Sequence, residues 1–363
     1  MVRRRTRPRA LVLAAGAVTV LVLAASVGLL WSMRGGSDAV RVSAWPGPGE
    51  VAAVSTSGLP TKNVSGLHHQ SDGTEAGVLW AVSNAPSVLY RLTLQGDTWR
   101  PDGAAWEQGM TLTYRDGTGR PDAEGLVMAG EGLEGGLYAA TERDNDRPDH
   151  SSLRVLRFDP AHPSGRAAGQ LAAVQEWDLS ADFALLPDSN QGLEGIAWVP
   201  DRALVSGSFV DESTGGRYAP GSRRGHGGGV FFVSLEGTGL IYGYLLFQDG
   251  TYRRVATIDS GLPVVAGLDY DAASGWLWAA CDDACEGEST VLTLRSRGAL
   301  DGGRFAVTHR FARPAGMPDT SNEGFALTSR VECSGGVKPV YWADDVALHG
   351  HVLRVGAIEC GSR

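Results

Sequence analysis

No G-x-S-x-G string occurs in the chain, which excludes the strand-to-helix nucleophile elbow of a serine esterase. Without that elbow, His226-Gly227-Gly228-Gly229 matches an oxyanion-loop string only by composition and reads as a flexible entry into a strand over Val230–Leu235. C-x-x-C is missing too: three residues separate Cys281 from Cys285, and no histidine cluster completes a zinc site. Histidine is scarce, with 8 residues, and lysine scarcer, since two lysines stand beside thirty arginines. Only one uncharged run, residues 10–33, is long enough to cross a bilayer, which takes about 20 apolar residues.

That run follows Arg3, Arg4, Arg5, Arg7 and Arg9. It is longer than the roughly 7–15 apolar residues of a cleaved signal peptide, ends in no clean A-x-A site, and carries no lipobox cysteine. The expectation is an uncleaved signal anchor. Residues 1–9 form a cytoplasmic tail, 10–33 a transmembrane helix, 34–50 a linker, and 51–363 an extracytoplasmic domain, oriented by the positive-inside rule. The expected location is the cell membrane, single-pass.

Six arginines and one aspartate lie within residues 1–40, so the 32 basic and 41 acidic residues leave 26 and 40 beyond, a formal charge of −14. Such a surface repels phosphate backbones and excludes nucleic acid as a partner. It suits cations, or a small-molecule or protein ligand of complementary charge. Four cysteines, all beyond residue 40, fit an oxidising compartment.

What is present in abundance is a repeat. Five times a turn-prone stretch, often with a Leu/Met-Pro pair, leads into a small or acidic residue, then Gly, then an apolar residue opening a strand. The copies are Ser65-Gly66-Leu67, Glu124-Gly125-Leu126, Glu194-Gly195-Ile196, Ala266-Gly267-Leu268 and Glu323-Gly324-Phe325. Second apolar strands follow from Leu79, Leu137, Ala203, Leu277 and Val340, and third strands from Leu89, Leu153, Val230, Val291 and His351. Fourth strands fall near 110–114, 174–179, 254–258 and 305–311, and the last repeat ends without one. Self-similarity at this period, in an all-β pattern, predicts a β-propeller of four-stranded blades. Five blades are expected, or six if the apolar run 240–247 belongs to an extra one. Residues 51–55 are the strand left over to complete the last blade and close the ring, which removes an exposed edge.

Strand direction turns the repeat into geometry. The residue ahead of each Gly and the loop after each second strand share one mouth of the channel. Carboxylates converging there repel one another unless a cation sits between them, and Ca²⁺ takes six to eight oxygens. The candidate metal ligands are Glu124, Glu194 and Glu323, with Asn190 and Asn322 as neutral donors. Carboxylates in a water-filled channel are the structural alternative. Glu142, Asp144 and His150, in the acidic stretch after the second repeat, are the candidate acid–base residues. The same strand directions place Cys333 and Cys360 together at the opposite face, and Cys281 and Cys285 in one loop at the mouth, predicting those two disulfides.

The phrases DAEGL (122–126), YAATER (138–143), NQGLEGIAWVPD (190–201) and SNEGFAL (321–327) resemble the phytase-like propeller family, also labelled esterase-like. More distantly, the spaced EGL and E-R elements are similar to calcium-dependent lactonase propellers. That likeness implies an axial cation held by a Glu at the position of Glu124, Glu194 or Glu323. The aspartate-rich DDPAIW signature of true propeller phytases is absent, as is a dense basic set for an inositol polyphosphate. Two functions follow: a membrane-tethered, cation-binding ligand or scaffold propeller, or a metal-dependent hydrolase of a phosphoester, ester or lactone.

Overall fold

The computed structural model describes residues 40–363 except 75, 131, 166, 184–189, 223–224, 297, 300–301 and 361–363. The expected anchor at 10–33 and the Leu186-Pro187 pair therefore lie outside the described residues. Among the described residues, no helix is long and apolar enough to cross a membrane.

Among the described residues, five inner strands line the axis: Val64–Gln70, Pro121–Met128, Leu193–Pro200, Gly267–Asp271 and Asn322–Leu327. Each neighbours the next, and the last returns to the first. The glycine of the phrase explains how they come so close. A Cβ on Gly125 would lie 2.3 Å from the Glu194 carbonyl oxygen, and one on Gly195 would lie 2.6 Å from Leu268 N. The cycle closes where a Cβ on Gly324 would meet the Ser65 carbonyl oxygen at 2.6 Å. Only a residue without a side chain lets neighbouring backbones pack at this distance.

From each inner strand the chain meanders outward in antiparallel pairs. The first sheet runs through Val78–Ser83, Val88–Gln95 and Met110–Thr113, and the second through Leu137–Asp144, Arg147–Phe158 and Gln175–Asp178. The fourth adds Trp276–Ala280, Ser289–Leu294 and Phe305–Phe311 to its inner strand. The fifth adds Val337–Leu348 and His351–Glu359, and its outermost strand is Ala52–Thr56, with Val54 opposite Leu353. The N-terminal strand thus completes the last sheet.

Apolar clusters fill the five gaps between neighbouring sheets. Val78, Trp80 and Leu89 meet Leu126, Met128 and Phe158 in the first gap, and Ala326, Tyr341 and Leu353 meet Leu67, Leu79 and Leu92 in the last. Strands covered on both faces must be apolar on both, which is why the second strands read as continuous hydrophobic runs rather than alternating ones.

The third sheet corrects the sequence reading. Residues 203–209, expected as its second strand, contain most of an α-helix, Asp201–Ser206. The strand that pairs with Leu193–Pro200 is Gly229–Leu235, followed by Leu240–Leu246 and Tyr252–Asp259. The run at 240–247, whose alternative reading is an extra blade, supplies the third strand of this sheet. The described residues between Pro200 and Gly229 form an insertion in its first hairpin. Leu204 and Phe209 bury themselves from a helix and a turn, and apolar content alone does not tell this from a strand.

The expected linker is also partly docked. Val42–Ser43 pairs in parallel with Arg310–Phe311, and the Trp45 ring lies 5.5 Å from both Trp278 and Trp342. Its Nε1 donates to the Ala357 carbonyl at 2.8 Å. Disulfides join Cys333 to Cys360 and Cys281 to Cys285, with Cα separations of 6.1 and 6.0 Å.

Candidate functional site at the channel mouth

The residue ahead of each phrase glycine is turned to the axis by an irregularity in strand pairing. The register slips between Val64 and Gly66, Ala123 and Gly125, Leu193 and Ile196, and Asn322 and Gly324. A bulge leaves one residue unpaired and re-aims its side chain. In this way Ser65, Glu124, Glu194 and Glu323 form an inner tier. In the remaining sheet Ala266 holds the place and leaves that side without a carboxylate.

A second tier lies above it. Asn84, Glu142, Asp282 and Asp345 stand two residues beyond the strand partner of the phrase glycine. In the third sheet Glu236 takes the equivalent place beyond Ser234, whose hydroxyl accepts from Gly195 N at 2.8 Å. All five line one cavity of about 250 Å³ together with Glu124, Glu194, Ala266 and Glu323, and Asn63, Ala85, Arg143 and Asn190 complete its wall. Arg143 is the one basic side chain in that wall, among the described residues, against seven carboxylates.

Below the carboxylates the channel narrows. Leu67, Leu126, Ile196, Leu268 and Phe325, the apolar residues that follow the phrase glycines, are all buried there. They leave an axial gap of about 10 Å³, no larger than one water needs. Beneath the carboxylates the axis is thus narrow and ringed by apolar side chains.

That apolar ring sets the electrostatics. Burial drives the Glu124 and Glu194 carboxyls well above the usual range, and neighbouring carboxylates push the same way. Burial raises Glu142 to about 7 and Glu323 to about 8, with Asp345 adding to the rise at Glu323. Some of these groups have partners. Asn84 donates to Glu124 at 2.9 Å, Ser65 to Glu323 at 2.8 Å, and Gly192 N to Glu142 at 3.1 Å. Glu194 has none: it is 7% exposed, lines the cavity, and accepts no hydrogen bond from any described residue.

Carboxylate oxygens of Asp122, Glu124 and Glu142 all lie within 4.8 Å of one another, as do those of Glu142, Glu194 and Glu236. A donor set of hard oxygens with an unpartnered buried carboxylate fits a hard divalent cation, which favours the ionised forms that burial opposes.

The structure brings Glu124, Glu194, Glu323, Asn190 and Glu142 to this one cavity. Asn322 is not among them. It precedes the bulge and faces the opposite way, where its amide donates to Asp344 and, at 3.1 Å, to Thr320. Asp344 is in turn held by Arg354 at 2.7 Å. Asp144 and His150 line a separate cavity of about 310 Å³ beside Tyr114 and Arg154. Asp144 is occupied at the hairpin turn, accepting from Arg120 N at 3.1 Å and Asp146 N at 3.0 Å. These three residues are therefore away from the axis.

Among the residues that the sequence does not single out, Glu236, Asp122 and Arg143 bear most on the site's chemistry. Glu236 is hidden by the misread second strand of the third sheet. Asp122 is fully buried behind Glu124, and it pairs with Arg143, which also donates to Asn190. The two-residue offset from the strand residue that meets the phrase glycine, Ser234 in this sheet, is the signal that finds Glu236.

No curated protein matches the chain. Among solved structures it is similar to regucalcin, a calcium-binding protein from Agrobacterium tumefaciens, at 13% identity over 88% of this chain and 96% of that one, with a TM-score of 0.40. A protein from Lactobacillus plantarum is similar at 14% identity over 82% of this chain and 89% of that one, with a TM-score of 0.39. Residues 60–216, which carry Glu124, Glu142 and Glu194, match the model of the family described as "Phytase-like: Esterase-like activity of phytase".

Proposed function

We propose that the chain is a divalent-cation-dependent hydrolase of an ester, phosphoester or lactone, built as a five-bladed propeller, with Ca²⁺ as the cation. The observation that carries this reading is Glu194, a buried carboxylate without a hydrogen-bond donor, set among other carboxylates at the narrow end of a cavity. Glu194 and Glu236 are the residues to hold the cation beside Glu142, with Glu124, Glu323 and Asn190 at its margin. When bound, a divalent cation supplies Lewis acidity, polarising a substrate oxygen and lowering the pKa of a water.

The chain's own groups supply the rest. Glu142, held near neutrality at about 7, is suited to take a proton and return it at physiological pH. Asp122 and Asn190 fix the Arg143 guanidinium in the wall, where it can orient an oxygen of the substrate. The side at Ala266, without a carboxylate, gives a substrate room to approach. The propeller sits outside a membrane and is tethered through residues 10–33; the five preceding arginines and the uncharged run support this part.

Chromogenic ester, phosphoester and lactone substrates, assayed with Ca²⁺ and with EDTA, test the reading. Turnover should require the cation. Glu194→Gln should abolish cation binding, and Glu142→Gln should bind it without turnover. Activity indifferent to EDTA refutes the proposal. Cation binding with no turnover on any class would leave a cation-dependent ligand-binding propeller.

A further inference from the structure

Asp282 is the one member of the second tier enclosed in a covalent ring. It lies between Cys281 and Cys285, whose disulfide spans a sequence separation of 4. Inside the ring its carboxylate accepts from Ala284 N at 3.0 Å and caps the short turn Asp283–Cys285. Backbone bonds from Cys281 N to Glu288 O, at 2.9 Å, and from Gly287 N to Asp282 O, at 2.8 Å, close the base of the loop. Cys281 is buried in the core between the third and fourth sheets. Cys285 is half-buried, with its sulfur 3.8 Å from the Val264 carbonyl oxygen. Val264 stands two residues ahead of Ala266. The bridge therefore closes the loop that presents Asp282 and lies against the segment leading into the open side of the inner tier.

A ring this short removes few conformations from the unfolded chain, so its main effect is on local geometry. We propose that the Cys281–Cys285 disulfide is a redox-addressable clamp that fixes Asp282 in the cavity wall and so sets the cavity's affinity for a divalent cation. The proposal rests on the cation-binding reading above.

The switch is thiol–disulfide exchange with a dithiol reductant. A thiolate of the reductant attacks the Cys285 sulfur, the Cys281–Cys285 bond breaks, and Cys281 leaves as a thiolate that takes up a proton. The reductant's second thiolate then displaces Cys285 from the mixed disulfide. The protein gains two thiols and the reductant becomes a disulfide. Released from the ring, the turn no longer confines the Asp282 carboxylate to the wall. The Cys333–Cys360 bridge, with a separation of 27 and neither cysteine in the cavity wall, is the internal control.

The full chain carrying C281S/C285S, and separately C333S/C360S, is titrated with CaCl₂ by calorimetry and followed by hydrogen exchange. C281S/C285S should raise the Ca²⁺ Kd about tenfold, the order expected when one carboxylate leaves a weakly screened cavity. It should also deprotect amides in 282–288 and 264–267. C333S/C360S should lower the melting temperature and leave Kd unchanged. If C281S/C285S does not fold, wild type treated with dithiothreitol, its reduced bond mapped by mass spectrometry, makes the same comparison. An unchanged Kd beside normal wild-type binding overturns the clamp and spares the cation reading. If wild type binds no Ca²⁺, the cation reading and the affinity claim both fall. Unchanged protection over 282–288 after reduction overturns the clamp in either case.

Discussion

The axial carboxylates make the stability of the cation-free protein fall with rising pH near neutrality. Glu142 and Glu323 have folded pKa values of about 7 and 8, above an unfolded value near 4.5. Between those limits the folded state holds protons that the unfolded chain has released, so each step up in pH favours unfolding. Their stabilising contribution is complete below about 4.5 and is lost as the pH climbs through 7 to 8. His68 acts in the opposite sense at lower pH, because burial depresses it to about 3 from 6.5. The diagnostic window is therefore pH 6.5 to 8. One proton held only by the folded state is worth about 1.4 kcal/mol for each pH unit climbed. Across the window that gives a loss on the order of 1 kcal/mol from Glu142 and 2 kcal/mol from Glu323. At about 2 °C per kcal/mol for a domain of this size, the melting temperature in EDTA should drop by roughly 6 °C. A cation binds the ionised carboxylates, so its stabilisation, about 2.7 kcal/mol at a hundredfold excess over Kd, should oppose the drop. Calorimetric melts at four pH values, in EDTA and in CaCl₂, measure both effects. A flat profile in EDTA, superimposed on the CaCl₂ profile, would refute the argument. So would an unaltered slope in Glu142→Gln.

Three further outcomes are expected. Deleting residues 41–58 removes the strand that completes the last sheet together with Trp45, and should abolish cooperative unfolding; an unchanged melt would rule out the closure as a stabilising element. Gly125→Ala puts a Cβ 2.3 Å from the Glu194 carbonyl oxygen, so it should cost about 2 kcal/mol or more in chemical denaturation and weaken Ca²⁺ binding as well. Removing the Cys333–Cys360 bridge should cost about 3 kcal/mol in the chain-entropy model, read from urea midpoints.

The propeller is legible in the sequence because its period is long and its punctuation regular. The phrase glycines mark the inner strands, and the leftover strand at 51–55 announces the closure. Legibility fails where one repeat carries an insertion. Ala203-Leu204-Val205 looks like the equivalent of Leu137-Tyr138-Ala139, yet it folds as a helix, since short apolar runs serve either state. That single misassignment hides Glu236. Asn322 leaves the ligand set for a different reason: adjacent residues in a strand face opposite sides, so the neighbour of Glu323 cannot share its direction. The two-tier stacking depends on register slips, which are set by pairing across strands and leave no mark in one strand's own sequence.

The apolar floor formed by Leu67, Leu126, Ile196, Leu268 and Phe325 imposes an order of traffic. On the proposed reading, with the axis this narrow beneath it, a cation seated among the inner carboxylates must arrive before any larger ligand and depart after it. In the proposed hydrolase, whatever is consumed above the cation exits through the doorway by which it entered. A spent molecule lingering there obstructs the next arrival and imprisons the ion beneath. Exchange of the ion should therefore slow as the doorway fills, a kinetic signature that a through-going pore would lack.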